Sequence, residues 1–242
     1  MRLLTILCLV LLSVHSYSQE VIPEVETVTR DGLIYHQLST EPLTGTVVGF
    51  YENGRLRTKE NYKDGKMDGL QEEFYENGQL HYRENYVDGE RDGLYEWYYR
   101  NGQLWIKQNY KDGEHDGLHE WFKKNGRLQM RKNYKDGKED GLTEMFSEND
   151  QLWWRQNYID GGREGLSESF HENGQLDYRR NYKDGKLDGF SEEFHENGQL
   201  RWRGNYKDGG LDGLWEKFDE DGNLTSRQTY RNGVMVEENF NP

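Results

Sequence analysis

The fold of this chain is decided by a stretch of 24 residues, Gly69-Leu-Gln-Glu-Glu-Phe-Tyr-Glu-Asn-Gly-Gln-Leu-His-Tyr-Arg-Glu-Asn-Tyr-Val-Asp-Gly-Glu-Arg-Asp92. Closely similar strings return every 24 residues, so that the chain holds eight copies. A repeat of this length indicates an array of small structural units stacked in one direction, each in contact mainly with its neighbours. The copies open at Gly45, Gly69, Gly93, Gly117, Gly141, Gly165, Gly189 and Gly213.

Each copy predicts two short β-strands, Leu70 to Tyr75 and Leu80 to Tyr86, joined by Glu76-Asn77-Gly78. Asn-Gly between two apolar runs is a strong hairpin signal, because glycine adopts positive φ without cost. We expect the second connection, from Asp88-Gly89 into the next copy, to be longer. Sixteen strands at about 4.8 Å would give a sheet roughly 75 Å long. The predicted fold is all-β: tandem hairpin repeats that form an elongated, twisted, single-layer antiparallel meander sheet.

The register within a hairpin has two possible solutions. A two-residue Asn-Gly turn places Glu72 opposite Arg83, an attractive cross-strand ion pair. A three-residue turn with a glycine bulge shifts the pairing by one residue, sets Trp97 against Trp105 and gathers the apolar residues on one face. The second arrangement is slightly favoured because it keeps the apolar set together, but the sequence leaves both open.

The repeat resembles a known family. The string Tyr182-Lys-Asp-Gly-Lys-Leu-Asp-Gly-Phe-Ser-Glu-Glu-Phe-His-Glu-Asn-Gly-Gln-Leu200 is similar to the variant MORN repeat of bacterial proteins labelled YwqK-family antitoxins. The similarity covers about residues 45–236. It implies an antiparallel single-layer sheet and a role in protein–protein interaction or toxin neutralisation, and it implies no catalytic residue.

The two ends of the chain differ from the repeats. Residues 1–18 read as a secretory signal peptide, with Arg2, an apolar run and small residues before a cleavage site between Ser18 and Gln19. We therefore expect an extracytoplasmic protein, periplasmic or secreted. Residues 19–44 would form an N-terminal cap with a first strand at Leu33-Ile34-Tyr35, 45–236 the eight repeats, and 237–242 a tail. Val234-Met235-Val236 would supply a last strand.

The composition excludes several classes of function. The formal net charge of −14 disfavours nucleic acid and anionic lipid as partners, and we expect no membrane insertion after signal cleavage.

The mature chain offers few residues for metal binding or catalysis. Cys8 lies in the signal peptide, so the mature chain has no thiol. His115 and His119 show no evident partner and are expected to be solvated; we predict no metal and no cofactor. The repeated Glu and Arg/Lys columns are interpreted as a ladder of charge pairs, because identical carboxylates lack the different environments that catalysis needs. We expect no catalytic residue.

The positions at which the copies differ carry the functional prediction. Otherwise polar positions become aromatic in the middle copies, and aromatic residues on an open sheet are candidate anchors for a partner. The alternative is that they only thicken a thin core. The sequence predicts a non-enzymatic exported scaffold that binds a protein, with a glycan-binding envelope protein as the alternative. The candidate partner-binding residues are Tyr95, Trp97, Trp105, Trp121, Trp153 and Trp154.

Overall fold

The computed structural model describes residues 20–238, and the predicted signal peptide at 1–18 lies outside them. Within that range eight β-hairpins follow one another along the chain. The first strands of the hairpins are β4 (Gly45–Phe50), β7 (Gly69–Phe74), β9 (Glu90–Tyr98), β12 (Gly117–Phe122), β15 (Gly141–Phe146), β17 (Gly162–Phe170), β19 (Lys186–Phe194) and β21 (Gly210–Phe218). The second strands are β5 (Leu56–Lys63), β8 (Leu80–Val87), β10 (Leu104–Lys111), β13 (Leu128–Lys135), β16 (Leu152–Ile159), β18 (Leu176–Lys183), β20 (Leu200–Lys207) and β22 (Leu224–Arg231).

Each second strand also pairs with the first strand of the next hairpin, so the hairpins join into one continuous antiparallel sheet. Where a first strand starts late, a two-residue strand precedes it; these are β6 (Lys66–Met67), β11 (Glu114–His115) and β14 (Lys138–Glu139). The final strand, β23 (Val234–Glu238), pairs with β22, as the sequence predicts. The all-β meander is confirmed.

The hairpin tips combine the two turn geometries that the sequence left open. Tyr75 donates its N–H to the carbonyl oxygen of Gln79, which closes a three-residue loop with Gly78 at φ 87°. A bulge at His81 then shifts the pairing by one residue, and the strand body aligns Glu72 with Arg83. The favoured register was therefore wrong for the strand bodies. The reason is that the bulge compensates for the longer loop and restores the ion-pair alignment.

The connection between hairpins is tighter than expected. Asp88 and Gly89 both have positive φ, at 50° and 90°, and Val87 pairs directly with Glu90. Two central residues of this kind form the two-residue turn that matches the twist of a β-ribbon. Each such turn is tied to the preceding one, since the N–H of Gly89 donates to the carbonyl oxygen of Met67 at 2.9 Å. The prediction of a longer second connection was wrong because Asp supplies positive φ here.

The N-terminal segment covers the open edge of the first hairpin. β1 (Val21–Pro23) pairs in parallel with β4, and a 3-10 turn follows it at Glu24–Glu26. β2 (Thr27–Arg30) and β3 (Leu33–His36) form a separate two-stranded sheet. The edge strand is thus Val21–Pro23; Leu33-Ile34-Tyr35 forms a strand as expected, but outside the main sheet. The Asp31-Gly32 turn pairs that segment with β2 instead.

Buried apolar side chains cluster at this end of the molecule. Ile22, Leu43, Val47 and Tyr62 form a small core, against which Ile34 packs. Further along the sheet the buried side chains are largely polar. No helix within residues 20–238 is long and apolar enough to cross a membrane.

Candidate functional site

One face of the sheet carries a single row of alternating charges. The row holds one residue from each of fifteen consecutive long strands, and every neighbouring pair is directly opposed in the register. Its members are Lys59, Glu72, Arg83, Glu96, Lys107, Glu120, Arg131, Glu144, Arg155, Glu168, Arg179, Glu192, Arg203, Glu216 and Arg227. The register thus produces the predicted ladder, which repeats at the same spacing from the second hairpin onward; in the first hairpin Val48 stands opposite Lys59.

Ion pairs of the charge row link neighbouring hairpins. Arg155 donates from Nε to Glu168 of the following hairpin at 2.6 Å, and Arg203 bonds Glu216 in the same way at 2.6 Å. Glu216 also accepts from Arg227 at 2.7 and 2.9 Å and is 1% exposed. Burial alone would raise the pKa of Glu216, but the two guanidinium groups outweigh it and hold that pKa below its usual value. We assign this face a structural role.

The opposite face carries a row of side chains that is apolar without interruption only in the middle of the molecule; beyond Ser169 the same row holds Tyr178 and Trp202, separated by Glu193. Adjacent residues of a strand point to opposite faces, so Trp97 lies on the other side from Glu96. From Trp97 the register continues through Ile106 to Trp121. The apolar row consists of Tyr82, Trp97, Ile106, Trp121, Met130, Met145 and Trp154, all half-buried.

Polar residues bound this apolar row at both ends. Glu73 precedes Tyr82 in the register, and Ser169 follows Trp154. At about 4.8 Å per strand, seven strands give a patch about 30 Å long. The structure therefore aligns Trp97, Trp121 and Trp154 in one row, although they are 24 and 33 residues apart in the chain.

The other candidate aromatics extend the patch around Trp97. The Trp97 ring centroid lies 5.4 Å from that of Trp105 and 6.2 Å from that of Tyr95. Trp105 is in turn stacked by Tyr99 at 5.4 Å and 27°. Trp105 and Trp153, the bulge residues of their hairpins, are 36% and 41% exposed. These two therefore offer the most accessible rings among the six candidates.

Two histidines in the fourth hairpin are packed together, contrary to expectation. The ring centroids of His115 and His119 are 4.5 Å apart, and Tyr134 lies 4.4 Å from His119. His119 is 1% exposed and donates from Nε2 to the carbonyl oxygen of Asn109 at 3.1 Å. Burial lowers the pKa of His119 to about 4. The prediction of solvated, unpartnered histidines was wrong. His115, which follows the turn, and His119, in the strand, contact each other on the sheet face that carries Trp121.

A row of side chains at the hairpin tips was not found from the sequence. Tyr75 donates its hydroxyl to the carbonyl oxygen of Tyr98 in the next hairpin at 2.7 Å. His171 does the same through Nε2 to Phe194 at 3.0 Å. The signal was present in the sequence as a column that holds Tyr, Lys or His in most copies. The column comprises Tyr51, Tyr75, Tyr99, Lys123, Ser147, His171, His195 and Asp219.

Within residues 20–238, no three His, Cys, Asp or Glu side chains converge in a group that could hold a metal ion. Four buried carboxylates of the charge row, Glu96, Glu144, Glu168 and Glu216, are bonded to arginines in a repeated arrangement, which is the geometry of a structural ladder. This arrangement does not set apart one acid and one base.

Comparison with known proteins agrees with the repeat architecture. A family model described as "MORN repeat variant" matches residues 43–64, 67–88, 91–112, 163–184, 187–208 and 211–232, which together make up just over half of the chain. It passes over residues 115–160, the part that holds Trp121, Trp153 and Trp154.

No curated protein sequence matches the chain significantly. A solved structure described as "Crystal structure of GtfA/B complex" matches at 18% identity and a TM-score of 0.21, over 42% of this chain and 18% of that chain. A TM-score this low relates neither the folds nor the functions of the two proteins. The chain spans less than a fifth of that protein's length.

Proposed function

The chain belongs to the MORN repeat variant family. We propose that it is a non-enzymatic, exported scaffold that binds a protein partner on its aromatic face. The charge row holds the hairpins in register, while the opposite face presents the partner-binding residues. The anchors are Tyr95, Trp97, Trp105, Trp121, Trp153 and Trp154.

The observation that carries the proposal is that seven consecutive strands in the middle hairpins contribute apolar side chains to one row. A row that only thickened the sheet would be continuous in every hairpin, yet Glu73 and Ser169 interrupt it on either side, and Glu193 separates the later Tyr178 and Trp202. Half-buried aromatic residues surrounded by polar ones are typical of binding hot spots, which cluster near the centre of an interface. The same stretch includes the two hairpins that the family model passes over.

The net charge indicates the chemistry of the partner. A formal charge of −14 attracts basic proteins, accelerates their association and repels acidic ones. We therefore propose a partner with a basic surface and an apolar patch. Binding should weaken as ionic strength rises, since the Debye length falls from about 10 Å at 0.1 M to about 3 Å at 1 M salt.

The test is capture of a partner from the envelope fraction by the tagged mature chain. The double variant Trp97→Ala and Trp121→Ala should lose the partner. Trp202→Ala should retain it, because Trp202 lies beyond Ser169 and Glu193, outside the uninterrupted apolar stretch. Circular dichroism must show that all three proteins are folded. Equal recovery by wild type and the folded double variant would refute the role of the row.

A narrower form of the proposal is neutralisation of a toxin, as the resemblance to YwqK-family antitoxins implies. A toxin or effector gene beside this one, and rescue of its toxicity by co-expression, would support that form. If neither is found, the narrower form fails while the general scaffold stands. Export is tested separately, by fractionation and by mass spectrometry of the mature N-terminus, expected at Gln19.

Glycan binding is the competing function, because exposed tryptophan rings such as Trp105 and Trp153 could also stack on sugars. The two functions are separated by retention on peptidoglycan and on a glycan array. We expect no retention. Retention that is lost in Trp105→Ala and Trp153→Ala would favour the glycan instead of the protein.

A further inference from the structure

The row of tip side chains is broken at one hairpin. Ser147 occupies the position held by Tyr51, Tyr75 and Tyr99 in the first three hairpins. Its hydroxyl accepts from the N–H of Gln151 in its own turn, at 3.2 Å, instead of extending to the next hairpin. A cavity of about 440 Å³ opens beside it.

The cavity occupies the place where another hairpin holds an aromatic ring. In the third hairpin Tyr99 stacks on Trp105 at 5.4 Å and 27°. The residues at the equivalent positions two hairpins later are Ser147 and Trp153. Trp153, 41% exposed, therefore lines the cavity with no ring in the position that Tyr99 takes on Trp105.

The charge beside the cavity is also opposite to that beside the tip tyrosines of the second and third hairpins. The guanidinium of Arg100 lies 5.5 Å from the centre of the Tyr75 ring, and Lys124 Nζ lies 6.0 Å from that of Tyr99. The residue equivalent to these two cations at the cavity is Glu172. Glu172 and Glu148 both line the cavity.

Two comparable cavities at other tips contain the chain's own arginines. One is lined by Arg55 and Arg100, and the other by Arg201. The lining of the Ser147 cavity, among the described residues, includes no arginine or lysine. Outside the lining, Lys123 contacts the carbonyl oxygen of Ser147, and its Nζ lies 3.7 Å from Glu148. Glu148 is 91% exposed at its side chain, so it can turn toward a ligand.

We propose that the Ser147 cavity receives an arginine side chain of the protein partner, stacked on Trp153 and paired with Glu148 and Glu172. The inference rests on the proposed protein-binding function. The exposed face of Trp153 would stack with a planar group, and the two carboxylates would pair with a cation. The guanidinium group of arginine is both planar and positively charged. Arginine stacks on tryptophan and bonds carboxylates through paired N–H donors.

The experiment is a titration of the mature chain at pH 7.5 with a capped Gly-Arg-Gly peptide, followed through the indole N–H signals by NMR. The Trp153 signal is assigned with Trp153→Phe. We expect it to shift saturably in the millimolar range. The matching capped Gly-citrulline-Gly peptide, which has the same shape without the charge, should bind at least about fivefold more weakly because the cation–π contact is lost.

Two variants fill the cavity with residues that the chain already tolerates elsewhere. Ser147→Tyr restores the ring of the third hairpin, and Glu172→Arg restores the cation of the Arg100 position. Each should abolish the shift of Trp153. The Trp105 signal is the internal comparison: Tyr99 already stacks on that ring, so it should shift less than the Trp153 signal.

An unshifted Trp153 signal at 50 mM peptide (about tenfold above the expected millimolar range) would overturn the inference. So would an equal response to citrulline, to phosphocholine or to a neutral sugar, because each would show a site that does not select a planar cation. The titration needs no natural partner. It can therefore fail while partner capture succeeds, and partner capture can fail while it succeeds.

Discussion

Replacing Glu216 by alanine should destabilise the protein clearly more than the same change at Glu72, a partly exposed member of the charge row. Glu216 is 1% exposed and accepts one bond from Arg203 and two from Arg227. Breaking a buried ion pair by removing one partner costs about 3–5 kcal/mol. Because Arg203 and Arg227 are 47% and 45% exposed at their side chains, water solvates them after the change. We therefore expect a loss at the lower end, about 3 kcal/mol.

The matched control is Glu72→Ala, at the same column of an earlier hairpin. Glu72 lies 3.7 Å from Lys59 at its nearest ion pair, and its side chain is 20% exposed. A loose, partly exposed pair contributes less than about 1 kcal/mol. Urea unfolding followed by tryptophan fluorescence gives the two free-energy changes, provided that the slope with denaturant is unchanged. Equal losses in the two variants would refute the view that paired bonding at a buried carboxylate stabilises the array.

Three further predictions concern packing and protonation. Gly204→Ala places a Cβ 2.7 Å from Trp215 Cδ1 and should lower the free energy of unfolding in urea by about 1–3 kcal/mol. Adding Trp215→Ser should relieve that loss. If the effects of the two substitutions are simply additive, the two residues do not compete for space. The pKa of His119 is lowered from 6.5 to about 4, so this residue stays neutral in the folded protein. The free energy of unfolding should therefore fall as the pH drops from 6.5 to 4, because the unfolded chain binds the proton more readily. His119→Gln should flatten that part of the pH profile, and a variant that keeps the slope would contradict the prediction. Tyr75→Phe removes the 2.7 Å bond to the carbonyl oxygen of Tyr98 and should cost about 1 kcal/mol, with faster amide exchange at that tip; unchanged exchange would exclude the tie.

Much of the fold follows from the repeat because both turns are encoded locally. Asn77-Gly78 and Asp88-Gly89 supply residues that accept positive φ, and the alternation of charge then fixes which strands oppose each other. The register could not be derived in the same way. It depends on a bulge at His81 that cancels the extra residue of the loop, and a bulge leaves no mark in a single sequence beyond the loop length itself.

The candidate site was predicted in composition but not in arrangement. The variable aromatics were visible in the sequence, yet their alignment with Ile106 and Met130 into one row depends on the register of strands from different hairpins. Burial of His119 depends on the same register. The Ser147 cavity arises from a residue that is too small to fill its position, and its effect appears only beside the ring of Trp153.

The central claim is that the middle hairpins bind the partner through the residues at which they differ from the others. The most direct measurement replaces residues 141–164 by a duplicate of 165–188, which keeps the Glu and Arg of the charge row and removes Met145, Ser147, Trp153 and Trp154. The control replaces 165–188 by a duplicate of 189–212. With circular dichroism unchanged in both, we predict that partner capture is lost in the first chimera and retained in the second. Capture retained by the first chimera would contradict the account.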